Sequence, residues 1–252
     1  MSAFACCLPL LCCLMVATTI SLLGQSHDGA TGIAPSAGVR IGGAIGSPIP
    51  IGDVPDGADG APAIGLVVGG YIDWYSGGNW SVISEIQFVH YGSTFNTPLT
   101  DQPYVERVPV QTPDGGTVIF EVNTTFSGVA TGEFSNDYLQ VPILAAWQAF
   151  DNWRMIGGAY VGWLVSTTSY ATGTGQVGIR PETVEKDMYF DEKINALDYG
   201  IQLGTQYQAF TDLSLDLRGV LGMTSIFDPE FETVDRTVQN VFFHMTLSYR
   251  VF

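Results

Sequence analysis

The segment at the C-terminal end of the chain limits its fold most. Val241, Phe243, Met245, Leu247, Tyr249 and Val251 occupy the odd positions there, and His244, Thr246, Ser248 and Arg250 occupy even ones. Successive side chains of a β-strand point to opposite faces, so this period of two predicts one long strand with an apolar and a polar face. A tilted strand needs about 9–11 residues to cross a bilayer, whereas strands of water-soluble domains are mostly near five or six.

The same period recurs upstream. Leu213, Leu215, Leu217, Leu221 and Met223 alternate with Ser214, Asp216, Arg218 and Thr224. Leu197, Tyr199, Ile201, Leu203 and Tyr207 alternate with Asp198, Gln202, Gln206 and Gln208. Segments 138–150 and 153–165 meet at Asp151 and Asn152, with Leu139, Val141, Ile143, Ala145 and Trp147 opposite Gln140 and Gln148. Segments 64–75 and 80–91 are joined by 76–79; Leu66, Val68 and Ile72 oppose Asp73, and Val82, Ile86 and Phe88 oppose Glu85 and Gln87. A weaker strand at 37–46 brings the count to eight. The expected fold is all-β, an eight-stranded antiparallel up-and-down transmembrane β-barrel.

Connections at 76–79, 151–152 and 211–212 are short, whereas those at 47–63, 92–137, 166–193 and 228–237 are long and rich in Gly, Pro, Asp, Ser and Thr. Short periplasmic turns and long extracellular loops are the pattern of barrels in the bacterial outer membrane. Within 92–137, residues 108–122 read as a hairpin turning at 113–116 above the membrane. Trp74, Tyr75 and Trp80, then Trp147, Phe150 and Trp153, then Tyr207 and Phe210 cluster beside the short turns, as an interfacial girdle requires. A soluble barrel would need a charged exterior, and charged residues make up only 13% of the chain.

The four cysteines, Cys6, Cys7, Cys12 and Cys13, lie in a leader that is apolar from Leu8 to Leu23. We read 1–24 as a signal peptide and 25–252 as the barrel. A lipoprotein anchor is the rival for such a leader, but Leu11 and Cys12 stand where a small residue would be needed. No later segment offers about 18 consecutive apolar residues, so only strands could span.

With the apolar faces toward lipid, the inward faces collect Arg40, Arg154, Arg218 and Arg250 with Asp73, Glu85, Asp198 and Asp216. An eight-stranded barrel is just wide enough for side chains to fill it, so these charges are expected to pair as a structural network inside a polar plug. Their signs balance, which puts the whole net charge of −16 in loops, turns and tail. The long loops carry acids against only Arg107, Arg180, Lys186, Lys193 and Arg236. Such a surface argues against nucleic acid and toward cations, basic partners such as an extracellular or envelope protein, or solubility alone. Asp53, Asp56 and Asp59 share a Gly-rich loop without the spacing of an EF-hand, and no cofactor is implied.

The histidines are His27, His90 and His244, none in a metalloprotease motif. A Ser/His/Asp set around His90 or His244 is the one catalytic constellation left open. Asn79 and Asn123 head glycosylation sequons that are incidental in a bacterial envelope protein.

Residues 65–75 (GLVVGGYIDWY), 138–144 (YLQVPIL), 158–162 (GAYVG), 197–204 (LDYGIQLG) and 247–252 (LSYRVF) resemble the outer-membrane β-barrel family common in Bacteroidetes, labelled porin family or PorT-like. The resemblance covers nearly all of the mature chain. It implies an outer-membrane barrel in contact with lipid and with the barrel-assembly machinery during biogenesis, and it supplies no catalytic residue. Members usually end Tyr-x-Phe, with both aromatics on one face, whereas Tyr249 and Phe252 are three apart. Either the end is bulged or Val251 takes the place of Phe252 on the lipid side. The leading functional reading is a structural or interaction barrel with acidic loops; a narrow pore for small solutes and a rim enzyme are the alternatives.

Overall fold

A computed structural model describes residues 35–52, 57–178, 182–189, 191–228 and 237–252. The leader, His27, Asp53, Asp56, Arg180 and Arg236 lie outside these residues. The described strands are β1 (Ser36–Ile51), β2 (Asp59–Gly77), β3 (Trp80–Gln111), β4 (Thr117–Phe150), β5 (Trp153–Thr167), β6 (Tyr170–Val177), β7 (Thr183–Tyr189), β8 (Leu197–Gln208), β9 (Leu213–Gly222) and β10 (Thr237–Arg250). One 3-10 turn, Asp191–Lys193, precedes β8.

Antiparallel pairing runs β1-β2-β3-β4-β5-β8-β9-β10 and returns to β1, with Gly38 opposite Arg250 and Ile51 opposite Thr237 at the seam. The sheet closes as an eight-stranded barrel. Closure satisfies every ladder from within, which is what lets strands lie in hydrocarbon. The seam depends on small inward residues in β1. A Cβ at Gly42 would lie 2.0 Å from the Met245 carbonyl oxygen and 2.5 Å from the Thr246 Cα.

The period of two maps directly onto the wall. In β10, Phe242, His244, Thr246 and Ser248 are buried while Phe243, Met245, Leu247 and Tyr249 are exposed. The outer belt includes Ile41, Ile64, Ile143, Met155, Trp163, Leu203 and Leu221, all exposed. Trp80 packs beside Trp147, tilted, with centroids 6.2 Å apart, and Trp153 lies 4.9 Å from Tyr207. Both pairs sit at the end carrying the short turns and the chain terminus. There the amides of Val251 and Phe252 both donate to the Ala37 carbonyl, at 2.8 and 3.2 Å. Two residues thus oppose one, and this terminal bulge leaves Tyr249, Val251 and Phe252 all exposed.

The long connections differ from the loops expected. Residues 92–137 continue β3 and β4 as one hairpin of 32- and 34-residue strands, and 166–193 contains β6 and β7. β6 adds to the upper part of β4, from Phe126 opposite Val177 to Glu133 opposite Tyr170, and β7 adds to β6. The sequence there mixes Gly, Thr and Pro with isolated apolar residues, so composition reads as loop; the template of an already extended neighbour makes it strand. The hairpin turn falls at 112–116, where Gly115 adopts φ +85° and the Thr112 amide donates to Gly116 at 2.8 Å. Between Leu99 and Gln102 the register shifts by a bulge. Asp101 sits there at φ +50°; its amide donates to the Ser127 hydroxyl at 2.9 Å, and that hydroxyl donates back to the Asp101 carboxylate at 3.1 Å.

Candidate functional site

The lumen is filled in successive layers. Nearest the short turns, a cavity of about 360 Å³ is lined by Ser36, Asp73, Trp80, Arg154, Gln208 and Arg250 among others. At its floor Arg154 donates to Asp73 at 2.7 Å, to Gln206 at 3.1 Å and to the Ser81 hydroxyl.

Above it lies a buried quartet from three strands. Arg40 of β1 reaches Glu85 of β3 at 2.7 Å and Asp216 of β9 at 3.4 Å. Arg218 of β9 holds both Glu85 oxygens, at 2.8 and 3.0 Å, and Asp216 at 2.9 Å. Gln206 and Ser248 add donors to Asp216 at 3.1 and 2.7 Å. The two-pronged Arg218 contact is the geometry in which a guanidinium binds a carboxylate best. Two cations interleaved with two anions, each carboxylate hydrogen-bonded more than once, recover part of the desolvation of burying them; the Nε of Arg40 and of Arg218 is buried without a partner.

Higher still, Tyr91 shares its hydroxyl with the Nε2 of His244 at 3.0 Å and accepts from Gln140 at 3.2 Å, and Gln87 donates to Gln140 at 3.1 Å. Tyr91 stacks on Phe242 with centroids 3.8 Å apart, and both pack with Tyr138, Tyr160, Val67, Val89 and Val220. This upper layer differs from the polar plug expected. Inward positions of β3, β4, β5 and β10 carry aromatic rings that fill space, and the hydroxyls of Tyr91 and Tyr160 find partners. Asp198 belongs here, accepting from Tyr160 at 2.9 Å, Thr224 at 2.7 Å and Asn240 at 3.2 Å. A second apolar cluster, Ile194, Ile226, Phe227 and Val238 with Phe134 and Leu164 against it, covers the extracellular mouth.

Of the eight charges expected inside, the structure brings Arg40, Glu85, Asp216 and Arg218 into one network and pairs Asp73 with Arg154 below it. Asp198 is held by neutral donors alone, because it lies beyond the reach of the arginines. Arg250 is exposed: it is on the inward face, but it is the last residue of β10, where the lumen opens to the periplasm. Parity in the sequence puts Thr224 on the polar face, but nothing there marks Tyr91 and Tyr160 as hydrogen-bonded, since a single inward tyrosine looks like any strand residue.

Of the remaining candidates, Asp59 opens β2 exposed, with its carboxylate taken by the Gly60 amide at 2.7 Å. His90 is on the outer wall, its Nδ1 2.7 Å from Asp137. Ser166 lies across from Asp137 on the next strand, so the acid stands between the serine and the histidine. Among the described residues no serine hydroxyl bonds to His90 or His244, and no three metal-ligating side chains converge.

A closed wall of eight strands, apolar outside and filled inside with paired charges and aromatic side chains, defines a transmembrane barrel of the bacterial outer membrane. The chain belongs to the family described as outer membrane protein beta-barrel domain, whose model matches residues 25–228. No curated protein matches its sequence. Among solved structures it is similar to Ail, the attachment invasion locus protein of Yersinia pestis, at 13% identity and TM-score 0.39, covering 86% of this chain and 99% of that one. Neisserial surface protein A is similar at 8% identity and TM-score 0.37, covering 88% and 99%. The outer membrane protease OmpT of Escherichia coli is similar at 9% identity and TM-score 0.29, covering 89% and 99%.

Proposed function

We propose that this protein is a structural or interaction barrel that passes no solute and presents an acidic β-sheet outside the cell. The observation that supports it best is the filled lumen: Tyr91, Tyr138 and Tyr160 are 1–2% exposed directly above the four-charge network. A solute would have to displace both layers, and removing one partner from a buried ion pair costs about 3–5 kcal/mol. The proposal includes export by loss of residues 1–24, recognition of the terminal aromatic by the assembly machinery, kinship with the PorT-like barrels of Bacteroidetes, and no catalytic role. Purified protein in a planar bilayer tests it. A silent membrane at 100 mV is expected, and discrete openings that persist after the extracellular hairpin is trimmed would overturn it.

A further inference from the structure

Beyond the ring, β3 and β4 project as a two-stranded ribbon, and its two edges are built differently. The Gly178 amide donates to the Thr125 carbonyl at 2.7 Å, so the backbone groups of Thr125 face away from β3. N–H and C=O directions alternate along a strand. Thr117, Ile119, Glu121 and Asn123 therefore also turn theirs outward. Their register partners on β3 are Gln111, Pro109, Arg107 and Val105, with Pro103 opposite Thr125. In a non-hydrogen-bonded pair both residues face outward, so Pro103 and Pro109 occupy positions whose N–H would point to solvent. They cost the ladder nothing and remove donors from that edge.

The other free edges follow the same logic. β7, outermost on its side, is blunted by Glu185, Lys186 and Asp187 in succession. The β4 edge from Thr117 to Asn123 has neither proline nor lysine, and it carries Val118, Ile119, Phe120 and Val122, all exposed. β6 could have covered it, but β6 ends at Val177, and Gly178, at φ +58°, begins the connection to β7, which pairs back along β6. The single charge on 117–123 is Glu121, which accepts from Arg107 across the ribbon at 3.2 Å, so this edge stays open beside edges that are blocked.

We propose that the β4 edge over 117–123 receives an extended, cationic peptide segment of a partner protein as an added strand, collinear with β6. Backbone pairing would supply affinity, and charge would supply selection. Along 98–125 and 182–189 the acids are Asp101, Glu106, Asp114, Glu121, Glu182, Glu185 and Asp187, against Arg107 and Lys186. The same charge disfavours a second copy as occupant, since each chain brings −16 and the imbalance lies outside the membrane. This deepens the interaction half of the proposed function and rests on it; the non-conducting half is read separately by conductance.

The test uses the full-length protein in phosphatidylcholine nanodiscs and a fluorescent nine-residue peptide alternating valine with lysine. Saturable binding is expected, at least tenfold weaker when glutamate replaces lysine or when alternate peptide nitrogens are methylated. The double variant Ile119→Pro/Asn123→Pro, which copies onto β4 the device already present on β3, should bind at least tenfold more weakly. Val105→Pro on the blocked edge should bind as before, and heat-modifiable mobility reports that each barrel is intact. No binding, equal binding by the glutamate peptide, or an unchanged affinity for the methylated peptide or the double variant would each overturn the proposal. So would a dimer in light scattering that the double variant dissolves, since the occupant would then be a second copy. The methylated peptide tests the wild-type chain and needs no variant to fold.

Discussion

Glu85 is the residue on which the lumen turns, because both Arg40 and Arg218 converge on it. Glu85→Gln leaves two buried guanidiniums sharing one carboxylate, and breaking such a pair costs about 3–5 kcal/mol. We expect the temperature at which the folded band converts to the unfolded one in gel electrophoresis to fall markedly. Tyr91→Phe is a milder cut at a neutral site: it removes the hydroxyl shared by His244 and Gln140 and leaves their polar groups buried. The cost is about 1–3 kcal/mol, measured as a lower urea midpoint with the barrel still folded. A loss from Tyr91→Phe as large as that from Glu85→Gln would show that the charges are not the stronger contacts. At this scale the charged residues were legible because their types and parity are explicit. Which acid meets which base was not, since Arg40 and Asp216 are 176 positions apart and only ring closure makes them neighbours.

Among the elements, β1 and the β3–β4 ribbon behave oppositely. β1 is a seam. Gly42→Val places a side chain against the backbone of β10, and we expect it to abolish the heat-modifiable band by preventing closure. The ribbon beyond the Asp101 bulge contributes no residue to the clusters inside the barrel. Replacing 103–124 with a short Gly-Ser turn should therefore leave the conversion temperature unchanged to within a few degrees. Parity within the ribbon is itself testable. Phe120 stands one residue from the outward-facing Ile119, so Phe120→Pro removes an N–H that points toward β3, whereas Ile119→Pro does not. Amide exchange in the ribbon should accelerate in the first variant alone. The hairpin and its turn were readable from Pro113, Asp114, Gly115 and Gly116. The extension into strands, and the addition of β6 and β7, were not, because edge strands with mixed composition are fixed by the neighbour they pair with.

For the whole molecule the expectation is a stable, electrically silent barrel with its charge imbalance outside the membrane. Binding of a cationic peptide at the sheet should weaken as salt rises from 50 to 300 mM, since charges exposed to water are screened over about 10 Å at 0.1 M, while the buried quartet and the conversion temperature should change little. Equal salt sensitivity of the two would mean that the network is open to solvent. The sequence by itself determined the wall: period-two alternation chose strand, length chose membrane-spanning strand, the shortage of charge chose a lipid-facing exterior, and turn lengths chose orientation. These are local properties, each legible within a dozen residues. Only the tertiary structure decided how the interior is filled, that Asp198 is held by neutral donors, that the C-terminus bulges at Ala37, and that one ribbon edge is open while its partner is blocked. Each depends on register between strands distant in the chain, and register is set when the sheet closes on itself.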